Sequence, residues 1–286
     1  MAETIGLTTR SGLTFTADVA GPAGGPLVLL LHGFPESRNS WRAALPVLAS
    51  AGYRCVAPDQ RGYSPGARPD PADLSNYAFD KLVNDALEIA TAAGHDDKRF
   101  HLVGHDWGGQ VAWGVANAHP ERLASLSVLS RPHPLSFRRA LEKADGDQRH
   151  RSRHHTRFLE PATGPLLIED NARRLREGLF GQDVSKAAIE EHVAVLGNRA
   201  AIEAALAWYR ANKGLSGDFG PIKVPTLYIW GDADATVGPE AAKGTADFVT
   251  AAYAMEVLPG VGHFVMDQAA AQATELILSH IRKHSV

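Results

Sequence analysis

A single cysteine, Cys55, excludes any intramolecular disulfide and fits a reducing compartment. It lies in Tyr53-Arg54-Cys55-Val56-Ala57, an apolar run that predicts a buried strand, where a thiol acts as a small core group. Charge of one sign is lacking too. The formal balance of −3 gives no global attraction to nucleic acid or to an anionic membrane. The start, Met1 to Leu7, has no basic segment followed by an apolar one, so it does not read as a signal peptide. The longest apolar stretch, 26–31, falls far short of the roughly 20 residues that span a bilayer. There is no internal repeat and no low-complexity tract. These absences predict a soluble cytoplasmic protein, monomer or homodimer, with neither nucleic acid nor membrane as partner.

What is present is strand–helix alternation. Residues 4–10 and 13–19 alternate as two antiparallel strands joined at Ser11-Gly12. A continuous apolar run follows at 27–31, then strands around 54–56 and at 100–103 and another apolar run at 123–129, with helical spacing at 41–51, 77–93 and 110–118. Buried strands alternating with helices imply a mostly parallel sheet covered on both faces, an α/β fold. From about Pro134 to Pro221 no strand is apparent, and Arg, Glu and Ala dominate. Strands resume at 224–230 and 254–258. The expectation is one core, residues 1–134 and 221–286, interrupted by a helical cap at 135–220.

The most telling motif is Gly104-His105-Asp106-Trp107-Gly108-Gly109, just after the strand at 100–103. It has the glycine spacing of a nucleophile elbow, G-x-S-x-G, with Asp106 in the serine slot. A carboxylate is already an anion at neutral pH and attacks without a base. Attack on an ester would give a mixed anhydride, which disfavours an esterase. Attack on a saturated carbon leaves an ordinary alkyl ester, so the expected substrates are epoxides or alkyl halides.

In an elbow protein the acid and the histidine follow the nucleophile in that order. Trp230-Gly231-Asp232-Ala233-Asp234 lies past a strong strand, and carboxyl ends of parallel strands are where such sheets place their sites. Asp234 is the favoured acid, with room to turn back, and Asp232 is expected to cap backbone amides. The histidine is His263, framed by glycine in Gly260-Val261-Gly262-His263-Phe264. Asp267, nearby, is expected to cap a helix. The oxyanion site would use the N–H of Trp107 and that of Phe34 in His32-Gly33-Phe34-Pro35.

Together these pieces resemble the α/β-hydrolase superfamily, in its epoxide-hydrolase and haloalkane-dehalogenase branch. The matching runs are His32 to Ser37 with Ser40-Trp41-Arg42, Asp59-Gln60-Arg61-Gly62-Tyr63, Gly104 to Gly109, Trp230 to Asp234, and Gly262-His263-Phe264. The resemblance implies a cis Phe34–Pro35 bond and a two-step mechanism through an Asp106 alkyl ester, hydrolysed by water that His263 activates. It implies no metal or organic cofactor, because water is the only second substrate. It also implies two cap tyrosines that protonate the emerging alkoxide. Tyr209, in Trp208-Tyr209-Arg210, matches one of them. At the other stands His154, or His155 if the alignment slips by one residue. The enclosing run, Arg149 to His155, reads otherwise as a solvated basic face, and no carboxylate or cysteine completes a zinc set there. In the dehalogenase alternative, Trp107 and a cap tryptophan, Trp208, would hold a halide. The expected pocket is mostly apolar, with Phe34, Trp107 and Trp208 against the substrate. A diverged hydrolase or ligand-binding protein is the remaining reading; retention of His263 behind the nucleophile argues against it.

Overall fold

Five consecutive apolar residues in β3 (Leu27–Leu31) are all buried, and they set the plan of the molecule. Val28 and Leu30 face a core built with α1 (Ala44–Ser50) and the carboxyl-terminal helix; Leu27, Leu29 and Leu31 face the opposite core. A strand apolar on both sides must be covered on both sides. The computed structural model describes residues 2–180, 183–214 and 218–286.

The sheet has eight strands: β1 (Glu3–Thr8), β2 (Thr14–Ala20), β3, β4 (Arg54–Pro58), β5 (Phe100–His105), β6 (Leu123–Leu129), β7 (Thr226–Gly231) and β8 (Tyr253–Leu258). Their spatial order is β1-β2-β4-β3-β5-β6-β7-β8. The β1–β2 and β2–β4 pairs are antiparallel and the others parallel. The chain leaves β3 toward β4 on one side and returns to β5 on the other. This reversal opens a crevice at the carboxyl ends of β3 and β5, where such sheets bind ligands. Helices α2 (Phe79–Ala92) and α3 (Trp107–Ala118) cover one face. The expected elements agree with these within a few residues. The starts of two helices move most: α1 begins later than expected, at Ala44, and α3 begins earlier, at Trp107, directly after the elbow.

Between β6 and β7 lie α4 (Pro134–Glu142), α5 (Gln148–Arg151), α6 (His154–Phe158), α7 (Thr163–Arg173), α8 (Lys186–Leu196) and α9 (Arg199–Ala211), with no strand among the described residues. The stretch expected as a cap includes 181, 182 and 215–217, which lie outside the described residues. Side chains tie this helical stretch to the core. Trp208 Nε1 donates to the Arg61 carbonyl at 2.9 Å, and Ser37 Oγ meets His192 Nδ1 at 2.9 Å. Gln148 Nε2 donates to the Thr236 carbonyl at 2.7 Å. After β7 come α10 (Pro239–Lys243), α11 (Val265–Gln268) and α12 (Ala270–Arg282), the last against β3 in the second core. Cys55 is buried in β4, as expected, and burial pushes its thiol pKa up to about 12.

The elbow depends on close packing of α3 on β3. A methyl at Gly108 would land on the Leu31 carbonyl oxygen and beside that of His32, both backbone atoms that cannot swing aside. Gly108→Ala is therefore expected to destabilise the fold by about 3 kcal/mol. Gly24→Ala, where nothing lies within 4 Å, should stay within about 0.5 kcal/mol. Urea unfolding of both variants checks this, and equal midpoints would contradict the packing argument.

Candidate active site

Asp106 sits between β5 and α3 at φ 48° and ψ −115°. For a residue with a Cβ this left-handed conformation is strained, by an amount on the order of 1–3 kcal/mol. The conformation turns the carboxylate out over the carboxyl ends of the strands. Phe34 N donates to Asp106 Oδ1 at 2.9 Å. The close approach needs Gly33: a Cβ there would meet Asp106 Oδ1 at 2.8 Å. The Phe34–Pro35 peptide is cis, as the resemblance implies. Trp107 is the first residue of α3, so its N–H is one of the amino-terminal donors that no helical carbonyl takes up.

On the other side, His263 Nε2 faces Asp106 Oδ2 at 3.6 Å, and His263 Nδ1 lies 2.9 Å from Asp234 Oδ2. Asp234 Oδ1 accepts from Thr236 N, Thr236 Oγ1 and Val237 N at 2.7, 2.8 and 3.1 Å. Asp232 instead accepts from Gly260 N at 2.6 Å, the turn-capping role expected of it. Of the two aspartates, Asp234 is the one whose carboxylate meets His263. Burial alone would raise the pKa of Asp106, but the charge and hydrogen-bonding capacity of His263 prevail and hold it well below the usual range. Asp234 is lowered in the same way: burial opposes ionisation and His263 outweighs it. His263 moves the other way. Burial lowers its pKa, yet Asp234 and Asp106 together lift it well above the ordinary imidazole value.

Behind these groups stands a buried layer that the sequence did not single out. Both nitrogens of His105 meet acceptors, Glu36 Oε2 at 2.5 Å and the His263 carbonyl at 2.8 Å, so both must carry protons. Burial opposes that charge, and Glu36 raises the His105 pKa in spite of it. His105 therefore pins the backbone of the His263 loop to the Phe34 loop. Arg151 Nη1 donates to the Asp234 carbonyl at 2.6 Å. Asp267, expected as a helix cap, is not one. It lies inside α11 with its carboxylate buried, Oδ1 2.6 Å from Arg42 Nη2 and Oδ2 3.8 Å from His192 Nε2.

A cavity of about 200 Å³ opens over Asp106 and His263, lined also by Phe34, His154, His155 and Tyr209. A second lobe of about 560 Å³ shares Tyr209, His155 and Arg131 with it, and Trp107 lines this lobe. The Tyr209 ring stands edge-on to Phe34, Trp107, His155 and Phe158, with centroids 4.9–5.6 Å apart. Its hydroxyl is kept protonated, with its pKa raised by burial and then by Asp106.

Two further expectations need revision. The run Arg149 to His155 is not one solvated face: Arg149, His150 and Arg153 are exposed, but Ser152 is buried and His154 and His155 turn into the cavity. The reason is the helical turns of α5 and α6, which carry part of the run inward and leave the rest on the outer side. Trp208 does not line the cavity over Asp106 and His263. Its indole N–H is spent on Arg61 and its ring is wedged between Tyr63 and Trp107, so it has no donor left for a ligand.

Comparison with known proteins places the fold. A family model described as the alpha/beta hydrolase fold matches residues 26–270. Epoxide hydrolase 3 of Xenopus tropicalis is 31% identical over 96% of this chain and 76% of its own. Epoxide hydrolase A of Mycobacterium tuberculosis is 28% identical over 98% of both chains. Among solved structures, an epoxide hydrolase from hot-environment metagenomes superposes with a TM-score of 0.87 at 27% identity, covering 99% of this chain and 100% of that one. Epoxide hydrolase A of Mycobacterium thermoresistibile superposes at 0.84 with 26% identity over the whole of both chains. With an eight-stranded, mostly parallel sheet flanked by helices and relatives of this kind along nearly its full length, the chain belongs to the α/β-hydrolase superfamily, in its epoxide hydrolase-like branch.

Proposed function

We propose that the chain opens an epoxide to a vicinal diol, with Asp106 as nucleophile. The observation that carries this reading is the carboxylate at the elbow. Asp106 is kept ionised, faces a mostly apolar cavity and has His263 and Asp234 in line behind it. Because Phe34 N–H holds Oδ1, the free oxygen is Oδ2. In the first step Oδ2 attacks a ring carbon, the ring C–O bond breaks, and its electron pair passes to the epoxide oxygen, which takes a proton. Tyr209 is suited to give that proton, since its phenol stays protonated to high pH.

The second donor would come from the histidine pair. His154 Nδ1 lies 3.1 Å from the Arg151 carbonyl and must donate there, so in the neutral ring Nε2 has no proton to give. Burial keeps both rings neutral: it lowers the pKa of His154 and pushes that of His155 down to about 3. His155 lines the same cavity beside Tyr209 and has the more available N–H.

Alkylation removes the Asp106 charge, and with it part of what holds the proton on His263; that proton passes to the phenolate left on Tyr209 and restores the donor. Neutral His263, oriented by Asp234, then takes a proton from water. The hydroxide adds to the Asp106 carbonyl carbon, and the oxyanion forms at Oδ1 under the Phe34 and Trp107 amides. Collapse breaks the bond between the Asp106 carbonyl carbon and Oδ2; the released alkoxide takes the proton of the added hydroxyl, the diol leaves, and Asp106 is again ionised beside protonated His263. The helical stretch 135–220 would serve as the cap that carries Tyr209 and the histidines over the core and excludes water. The alternative, displacement of halide by the same Asp106, loses a donor because Trp208 is committed to Arg61.

His263→Gln should retain step one and lose step two. Incubated with styrene oxide and weighed intact, it should gain the mass of the whole epoxide. Normal turnover with no adduct would overturn the two-step reading, and an adduct formed only from a bromoalkane, lacking bromine, would select the halide alternative. The raised pKa of His263 gives a pH signature. Step two needs the neutral ring, so ester hydrolysis should slow by about tenfold per unit as pH falls below the His263 pKa of the ester form. Ester formation should stay flat there, because Asp106 remains ionised. Rapid-quench measurement of ester accumulation in the unaltered protein tests this; equal hydrolysis rates at acid and neutral pH would contradict it.

A further inference from the structure

Arg131 follows β6 and borders both lobes of the cavity. Three contacts fix it. Its Nε donates to Gln110 Oε1 at 2.8 Å, its Cζ lies 4.5 Å from the centre of the Phe137 ring, and its carbonyl accepts from Trp113 Nε1 at 2.9 Å. Its root sits against the elbow helix, where a methyl at Gly109 would come within 2.9 Å of Arg131 Cβ. Other well-covered arginines of this protein are matched by carboxylates: Arg61 grips Asp85 with two bonds of 2.6 Å, Arg38 meets Asp18 and Asp59, and Arg210 meets Glu203 at 2.8 Å. Arg131 has no carboxylate within ion-pair distance among the described residues, and neither Nη has a protein partner there. Asp106 exerts only a longer-range pull on it. That carboxylate is already matched by His263 and the Phe34 amide, so its charge does not require Arg131.

An unmatched guanidinium held in a largely apolar space, with its two-pronged edge left over, is costly unless an anion completes it. We propose that Arg131 recognises a carboxylate on the substrate, placed one arm away from the reacting epoxide, with the remaining apolar part in the larger lobe. The other charged side chains around that lobe favour the same sign of ligand: Arg138 and Lys213 against the single Glu142. Arg131 also fits carboxylate geometry better than a lysine would, because a planar fork binds both oxygens at once. The reaction at the ring rests on the epoxide reading above; the anion site does not, because binding can be measured without turnover.

The direct test is calorimetric titration of the unaltered protein with 3-phenylpropanoate and with the neutral, near-isosteric 3-phenylpropanamide. The acid should bind about 30-fold more tightly, the scale of a charge-assisted hydrogen-bonded pair. Equal affinities, or preference for the amide, would overturn the proposal without the need for any variant. In Arg131→Gln the ratio of the two affinities should collapse toward one, and in Arg131→Lys it should be partly kept. Retention of the full preference in Arg131→Gln would also overturn it. Absence of an alkyl adduct in His263→Gln, together with a strong acid preference here, would sink the epoxide reading alone.

Discussion

Everything at this site depends on keeping one carboxylate charged where water is scarce. Burial alone would protonate Asp106, and a protonated acid is no nucleophile. The surrounding structure supplies what water would otherwise supply. The Phe34 amide points at one oxygen, the His263 ring faces the other, and Asp234 supports His263 from behind. In the mechanism proposed above, the same arrangement makes the two steps sequential: while Asp106 is charged, His263 holds its proton, and once Asp106 is esterified that hold weakens and the ring becomes the base.

The buried layer beneath explains why these groups stay in place. His105 belongs to the elbow motif itself, yet its role is structural: it joins Glu36, from the loop after β3, to the backbone of His263. The three loops that meet at the crevice are thereby fixed to one another, not only to the sheet. The helical stretch is tied in through Arg151, Gln148, His192 and Trp208, so the side chains it contributes are held over Asp106.

The core was legible in the sequence because its signals are local. Apolar runs such as 27–31 announce buried parallel strands, and the order of elbow, acid and histidine fixes which loops converge. Asp234 could be preferred to Asp232 from turn length alone. The helical stretch was less legible, since its residues act through contacts distant in sequence. Nothing local distinguishes Trp208, spent on Arg61, from a ligand contact, and nothing in Arg149 to His155 says which histidines turn inward. Arg131 gave no signal at all: a lone arginine between a strand and a Pro-His-Pro turn becomes notable only when its missing partner is seen. Asp267 was misread because its partners, Arg42 and His192, lie far away along the chain.

The account stands on covalent participation of Asp106, and one isotope experiment addresses that step directly. A single turnover of styrene oxide by excess enzyme in ¹⁸O-water, followed by mass analysis of the diol and of the peptide that carries Asp106, locates the incoming oxygen. Attack by Asp106 predicts unlabelled diol and ¹⁸O in the Asp106 carboxylate. Label in the diol after that first turnover, with Asp106 unlabelled, would mean that water attacks the ring directly and would contradict the central claim.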